Sequence, residues 1–130
     1  MKEYGPMSRH VRRLIMNLIK NLNFTSVLDV GCGEGSLLRE IMALRPDLST
    51  TAGIDISEGA LELAKVKVPE ASFYLKDISV DKLDASFDLV ICSEVLEHVE
   101  KDQKAISNLV DMTRNYLVIV TLQGNCNVAR

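Results

Sequence analysis

The stretch VLDVGCGEGSLL, residues 27–38, constrains this chain more than any other. An apolar run that suits a buried strand leads into glycines at positions 31, 33 and 35, and these lead into Leu37 and Leu38, the start of a helical pattern. A strand that turns on glycines into a helix opens a strand–helix–strand crossover, the unit of a parallel sheet. Glycine supplies the positive φ such a turn needs and lets a ligand approach bare backbone N–H groups. The loop therefore predicts both an architecture and a binding site.

The rest of the chain repeats the alternation. Ser26–Val30, Thr51–Ile56, Ser72–Leu75, Phe87–Cys92 and Tyr116–Leu122 are short runs rich in Val, Ile, Leu or aromatic residues. Several are apolar without alternation, as in strands covered on both faces. Between them, Leu37, Leu38, Ile41 and Leu44 form a helical stripe closed by Pro46. Ser57 caps a helix that runs through Leu61 and Ala64, and Ala105, Ile106, Leu109, Val110 and Thr113 mark a long helix before the last strand. Asp77–Ser86 is polar and is expected to hold little helix.

Near the N-terminus, Ser8 caps a helix with the apolar face Val11, Leu14, Ile15, Leu18, Ile19 and Leu22. Arg9, Arg13 and Lys20 lie opposite, with Arg12 at the margin. A basic amphipathic helix can meet a membrane or RNA, but covering a sheet is its more ordinary use. The whole pattern predicts an α/β fold: a doubly wound, mostly parallel sheet of about five strands with helices on both faces. A chain of 130 residues supplies one core, so residues 1–130 are expected to form a single domain.

Charge and cysteine content narrow the function. The net charge of −3 argues against a grip on nucleic acid through phosphates alone. Cys32, Cys92 and Cys126 form no C-x-x-C pair, which suggests neither a disulfide framework nor a zinc knuckle, and a reducing, cytoplasmic setting is expected. No run approaches membrane-spanning length, and no membrane partner is expected.

Three ligand classes use glycine loops of this kind. A mononucleotide P-loop needs a lysine after its glycines, and none follows here. The dinucleotide pattern G-x-G-x-x-G/A is nearly met by Gly31 and Gly33, but Ser36 stands at its third small position. Asp29 and Glu34 place carboxylates where a pyrophosphate would rest, and like charges at short range are costly. A ligand with a cationic centre and no phosphate suits the loop better. Asp55, at the end of the second strand in AGIDIS, can accept both hydroxyls of a ribose or can simply begin the turn before Ser57. Asp77, in FYLKDI, can accept from an adenine amino group.

DVGCGEG, GIDIS, LKDI and FDLVICSEVLEHV, in that order, resemble the class I S-adenosylmethionine-dependent methyltransferases over about residues 8–122. The resemblance implies S-adenosyl-L-methionine as cofactor. It implies that Gly31, Cys32, Gly33 and Gly35 admit the methionine end and that Asp29 orients its amino group. Asp55 and Ile56 would hold the ribose, Asp77 and Ile78 the adenine, and Ser93 would face the cleft. The implied reaction is methyl transfer to an oxygen or nitrogen of a small molecule, a glycan or an RNA end. The alternative is a catalytically incomplete cofactor-binding module that works with a partner.

After the fourth strand, Glu94 and His98 are the candidate catalytic residues. His98 is a candidate general base because its ordinary pKa lies near neutrality. Its other reading is a histidine held by Glu94 or Glu97 without chemistry. Glu94, Glu97 and His98 also form E-x-x-E-H, similar to small-RNA 3′-terminal 2′-O-methyltransferases, which use a divalent metal, and to quinone-precursor O-methyltransferases. The RNA family needs a further histidine downstream, and the other histidine here is His10, so no metal ligand set is assigned.

Two features depart from the family pattern. Thr113-Arg114-Asn115 replaces a proline–glycine–glycine turn and is expected to be a loop. The sequence ends eight residues after Leu122, so the sixth and seventh family strands are expected to be missing and the domain incomplete at its C-terminus. Tyr116–Leu122 would then be an exposed apolar edge, available to a second copy of the chain.

Overall fold

The computed structural model describes residues 9–93, 95, 102–121 and, for the backbone alone, 126–129. Its elements are α1 (Arg9–Ile19), β1 (Ser26–Val30), α2 (Ser36–Leu44), β2 (Thr50–Asp55), α3 (Glu58–Lys67), β3 (Ser72–Leu75), β4 (Phe87–Ser93), α4 (Asp102–Asp111), β5 (Thr113–Val120) and β6 (Cys126–Ala129). The described strands form one sheet in the order β3-β2-β1-β4-β5-β6. All neighbours are parallel except β6, which runs antiparallel to β5. The order reverses direction at β1, between β2 and β4, and ligands of open α/β sheets bind at such a switch.

Apolar residues without alternation in β1 and β4 are explained by a sheet packed on both sides. On one face, α1, α2 and α3 bring Ile15, Ile19, Leu37, Leu38, Ile41, Leu61 and Ala64 against Val27, Leu89, Ile91, Val118 and Val120. On the other, Ala105 and Leu109 of α4, with Met112, Ile78 and Phe87, pack with Leu28, Val30, Ile54, Val90 and Cys92. Burial of each large aliphatic side chain contributes about 1.5–3 kcal/mol, so Val27, Leu28 and Val30 of β1 each add to a core whichever way they point. The basic face of α1 points outward, with Arg12 paired to Glu40 of α2 at 3.3 Å, and the apolar face covers the sheet.

The fold class matches the sequence pattern, with local corrections. Thr113, expected in the last helix, and Arg114 and Asn115, expected in a loop, are the first three residues of β5. The helix stops at Asp111, and the Met112 carbonyl accepts from the Phe87 amide at 2.8 Å, which starts the β4–β5 pairing early. A register shift between Phe87 and Leu89 absorbs the extra residue. Within α4 the buried positions are Ala105, Asn108 and Leu109, while Ile106 and Val110 are exposed. Asn108 takes the inner place because its amide donates to the carbonyls of Ile78, at 2.7 Å, and Asp81, at 3.3 Å, and ties down the helix-poor crossover. The expected edge is also occupied: Leu117 to Val120 pair with Ala129 to Cys126, which makes β5 an interior strand. Leu122, at the end of that predicted run, lies outside the described residues.

Asp88 ties the amino ends of β1, β4 and β5 together, at the end of the sheet remote from the glycine loop. It accepts from the Thr25 amide at 2.9 Å, the Thr25 hydroxyl at 3.1 Å and the Arg114 guanidinium at 2.8 Å. The Thr25 amide, and then the Arg114 guanidinium, hold its carboxyl below the usual range. Asp88→Ala is expected to lose about 1.5–3 kcal/mol in urea unfolding at pH 7, the scale for hydrogen bonds to a charge. Because the folded pKa is lowered, this contribution is present above about pH 4 and is lost as pH falls further. The gap between wild type and variant should therefore narrow in acid.

Candidate functional site

The carboxyl ends of β1, β2 and β4 converge on the glycine loop, and the loop is held chiefly by the end of β2. The amides of Gly31 and Cys32 both donate to the Ile54 carbonyl, at 2.8 and 3.1 Å. The Gly33 amide donates to Asp55 Oδ2 at 2.8 Å, and the Ser57 amide to Asp55 Oδ1 at 2.9 Å. Asp55 thus organises both the loop and the start of α3, where Ser57 caps the Ala60 amide as its sequence position predicts. A carboxylate offers about four acceptor positions, so two remain for a ligand.

The three loop glycines have different reasons to be glycine. All have positive φ, at +79° for Gly31, +56° for Gly33 and +88° for Gly35. A Cβ at Gly31 would collide with a methyl of Val95, and one at Gly35 would lie 3.0 Å from a methyl of Val68. At Gly33 a Cβ would meet nothing within 4 Å among the described residues. Gly31 and Gly35 serve packing, whereas Gly33 borders space left open by the described residues, which a ligand can fill. Gly53, inside β2, is a further close approach: a Cβ there would lie 2.7 Å from Cys32 Sγ.

Asp29 and Ser93 flank the loop on the neighbouring strands. Asp29 pairs in register with Gly53 and with Ile91, so Asp29, Asp55 and Ser93 fall on the same face of the sheet. Asp29 is 1% exposed and Ser93 5%, and Asp29 Oδ1 and Ser93 Oγ have no hydrogen-bond partner among the described residues. Burial, and secondarily the charge of Asp55, pushes the Asp29 carboxyl up to about 8. Burial raises the Cys32 thiol too, with Asp29 and Asp55 adding to the effect, and its sulfur packs against the backbone at Gly53. Two buried polar atoms, unpartnered among the described residues and carried by strands that end at the glycine loop, fit a ligand with a hydrogen-bonding cationic group.

Other expected site residues fall into place unevenly. Ile56 follows Asp55 and is 58% exposed, an apolar surface at the end of β2. Asp77, past the end of β3, accepts from the amide and hydroxyl of Ser79 at 3.0 and 2.7 Å, which closes a tight turn. Ile78 is only 3% exposed within the second core, which leaves it little surface for a ring. Glu34, expected among the acids near the ligand, pairs instead with Lys67 of α3 at 3.0 Å. Lys67 and Val68 carried no sequence signal for the site, because their role depends on where α3 lies. Glu94, Glu97 and His98 lie outside the described residues, and no group of metal-ligating side chains occurs among the described ones.

Comparison with known proteins agrees with this geometry. A family model described as a methyltransferase domain matches residues 28–115. The ubiquinone biosynthesis O-methyltransferase of Nitrosomonas europaea is 34% identical over 119 residues, which are 85% of this chain and 49% of that protein. Its counterpart in Coxiella burnetii is 39% identical over 87 residues, 63% of this chain and 36% of that protein. The chain thus spans between about a third and a half of the length of these curated relatives. Among solved structures, the plantazolicin methyltransferase BpumL, in complex with a pentazolic desmethylPZN analog and SAH, superposes with a TM-score of 0.75 at 25% identity over 88% of this chain and 48% of that one. The methyltransferase domain of bacterial CtHen1 gives 0.73 at 22% identity over 85% of this chain and 64% of that one, a likeness of fold.

The Asp29 environment has a direct consequence for stability. The folded protein holds a proton on Asp29 that the unfolded chain, near its ordinary value of 3.8, releases. Stability without ligand is therefore expected to fall as pH rises from about 4 to about 8. Asp29→Asn should flatten this part of the profile and be more stable than wild type at pH 8, read by urea unfolding at pH 5 and pH 8.

Proposed function

This chain belongs to the methyltransferase domain family, and we propose that it binds S-adenosylmethionine at the glycine loop and transfers the methyl group to an oxygen acceptor. The observation that carries the reading is the buried carboxyl oxygen of Asp29, unpartnered among the described residues, in the strand that leads into the glycine loop. A pyrophosphate there would meet a buried acid, whereas an ammonium or sulfonium would relieve it. S-adenosylmethionine, when bound, supplies an electrophilic methyl group, so the protein's work is chiefly to hold, orient and exclude water.

Each residue has a part in that work. Asp29 and Ser93 would take the amino end of the methionine tail, with Gly33 giving the tail access to the backbone. Asp55, already fixed by the amides of Gly33 and Ser57, would accept the ribose hydroxyls on its free lone pairs. Ile56 would cover the sugar and base from the end of β2, and the Asp77–Ile78 turn would meet the adenine edge. Glu94 and His98 follow Ser93 in the chain and are the residues proposed to take a proton from a hydroxyl acceptor. The similarity to ubiquinone biosynthesis O-methyltransferases supports a small-molecule hydroxyl as that acceptor. Cys32 and Cys92, both free and buried, suit a reducing, cytoplasmic setting. No helix among the described residues is long and apolar enough to cross a membrane.

Calorimetric titration with S-adenosylmethionine, S-adenosylhomocysteine and NAD tests the reading. The first two are expected to bind and NAD is not; preference for NAD would overturn it. Gly33→Val should abolish binding, and Asp55→Ala should weaken it by about 1.5–3 kcal/mol, partly through loosening of the loop. Because the cationic amino group ionises Asp29, binding near pH 6.5 should release close to one proton. That release appears as a difference in heat between buffers of unlike ionisation enthalpy, with affinity rising toward pH 8. In Asp29→Asn the release should vanish.

A further inference from the structure

The grip of β2 on the loop is made by backbone and packing, but one contact on its other side is ionic. Lys67, in the last turn of α3, places Nζ 3.0 Å from Glu34 Oε1 and 3.5 Å from Ser36 Oγ. Glu34 lies between Gly33 and Gly35, and Ser36 begins α2, so this one ammonium ties both the loop and the helix it feeds to α3. The next residue, Val68, packs against Gly35 together with Ala64 and Phe73. The opposite end of α3 begins at Ser57, whose amide donates to Asp55. One helix therefore touches the site at both ends, through Asp55 at its start and the glycine loop at its finish.

We propose that Lys67 is a positioning residue for cofactor binding: by pairing with Glu34 and Ser36 it fixes the glycine loop at a set distance from Asp55. This deepens the cofactor reading above and rests on it. The pair has a second effect, since the Lys67 ammonium offsets the Glu34 charge within the loop. The Lys67 side chain is 30% exposed and that of Glu34 52%, so the contribution is modest and falls with added salt. Lys65, also in the last turn of α3 and exposed, is a natural control for loss of a positive charge at that helix end.

The test is titration of the full chain with S-adenosylhomocysteine, read beside the thermal midpoint and amide hydrogen exchange. Lys67→Met should raise the dissociation constant about threefold to fivefold at low salt, with the difference shrinking in high salt. Lys65→Met should bind as wild type. Lys67→Glu and Glu34→Lys should each bind more weakly, while the double exchange recovers affinity to within about twofold. Unchanged binding in Lys67→Met, equal weakening in Lys65→Met, or no recovery in a folded double variant would each overturn the proposal. If wild type itself fails to bind, the cofactor reading falls. The positioning role then stands or falls on exchange at Gly33, Glu34, Gly35 and Ser36, which should be faster in Lys67→Met than in wild type, and equal rates would refute it.

Discussion

Two amides of the glycine loop, those of Gly31 and Cys32, converge on the Ile54 carbonyl, while a third, from Gly33, donates to the Asp55 carboxylate. These bonds hold Gly31 and Gly33, two of the three loop residues of positive φ, in one place, a conformation the backbone would not keep unaided. The grip works because β1 and β2 are parallel neighbours whose carboxyl ends lie level, with Val30 paired to Ile54. Were β2 displaced by one residue, its carbonyls and side chains would exchange directions and the loop would lose both its anchors. The two hydrophobic layers serve the site by fixing that register.

Asp29 and Ser93 show the other side of the design. Among the described residues their buried oxygens have no partner, and an oxygen so left costs about 1–3 kcal/mol. Asp29 limits its cost by holding a proton, because burial and Asp55 both oppose its charge. The stability needed to carry these groups comes from strands such as β1 and β4, whose apolar residues are buried on both faces. A cation arriving at the site would remove the penalty, so the same burial that weakens the free fold would strengthen recognition.

Much of this was legible in the chain itself. Apolar runs without alternation identify strands covered on both faces, and Pro46 and Ser57 mark helix ends through their own backbone chemistry. Asp29, the loop glycines and Asp55 stand at strand ends, where position alone brings them to one rim. The errors arose where periodicity and contact disagree. Ile106 and Val110 fit a helical stripe, yet Asn108 holds the inner position because it answers two carbonyls of a distant turn. Thr113 to Asn115 read as a helix end and loop, and β4 draws them into a strand through backbone pairing that carries no side-chain signature. The same holds for the short β6.

Local sequence thus determined the strand–helix alternation, the glycine turn and the identity of the acids around it. Each of these follows from the conformational limits and polarity of a few neighbouring residues. Only the tertiary structure decided which loop glycine the described residues leave uncovered, that Glu34 pairs with Lys67, and that Asp29 is left neutral and, among the described residues, without a hydrogen-bond partner on Oδ1. Those properties depend on residues far along the chain: Val68 and Val95 fill the space beside two of the glycines, and packing from both sides removes water from a carboxylate. Sterics and desolvation are set by what surrounds a group, and the surroundings exist only once the sheet has assembled.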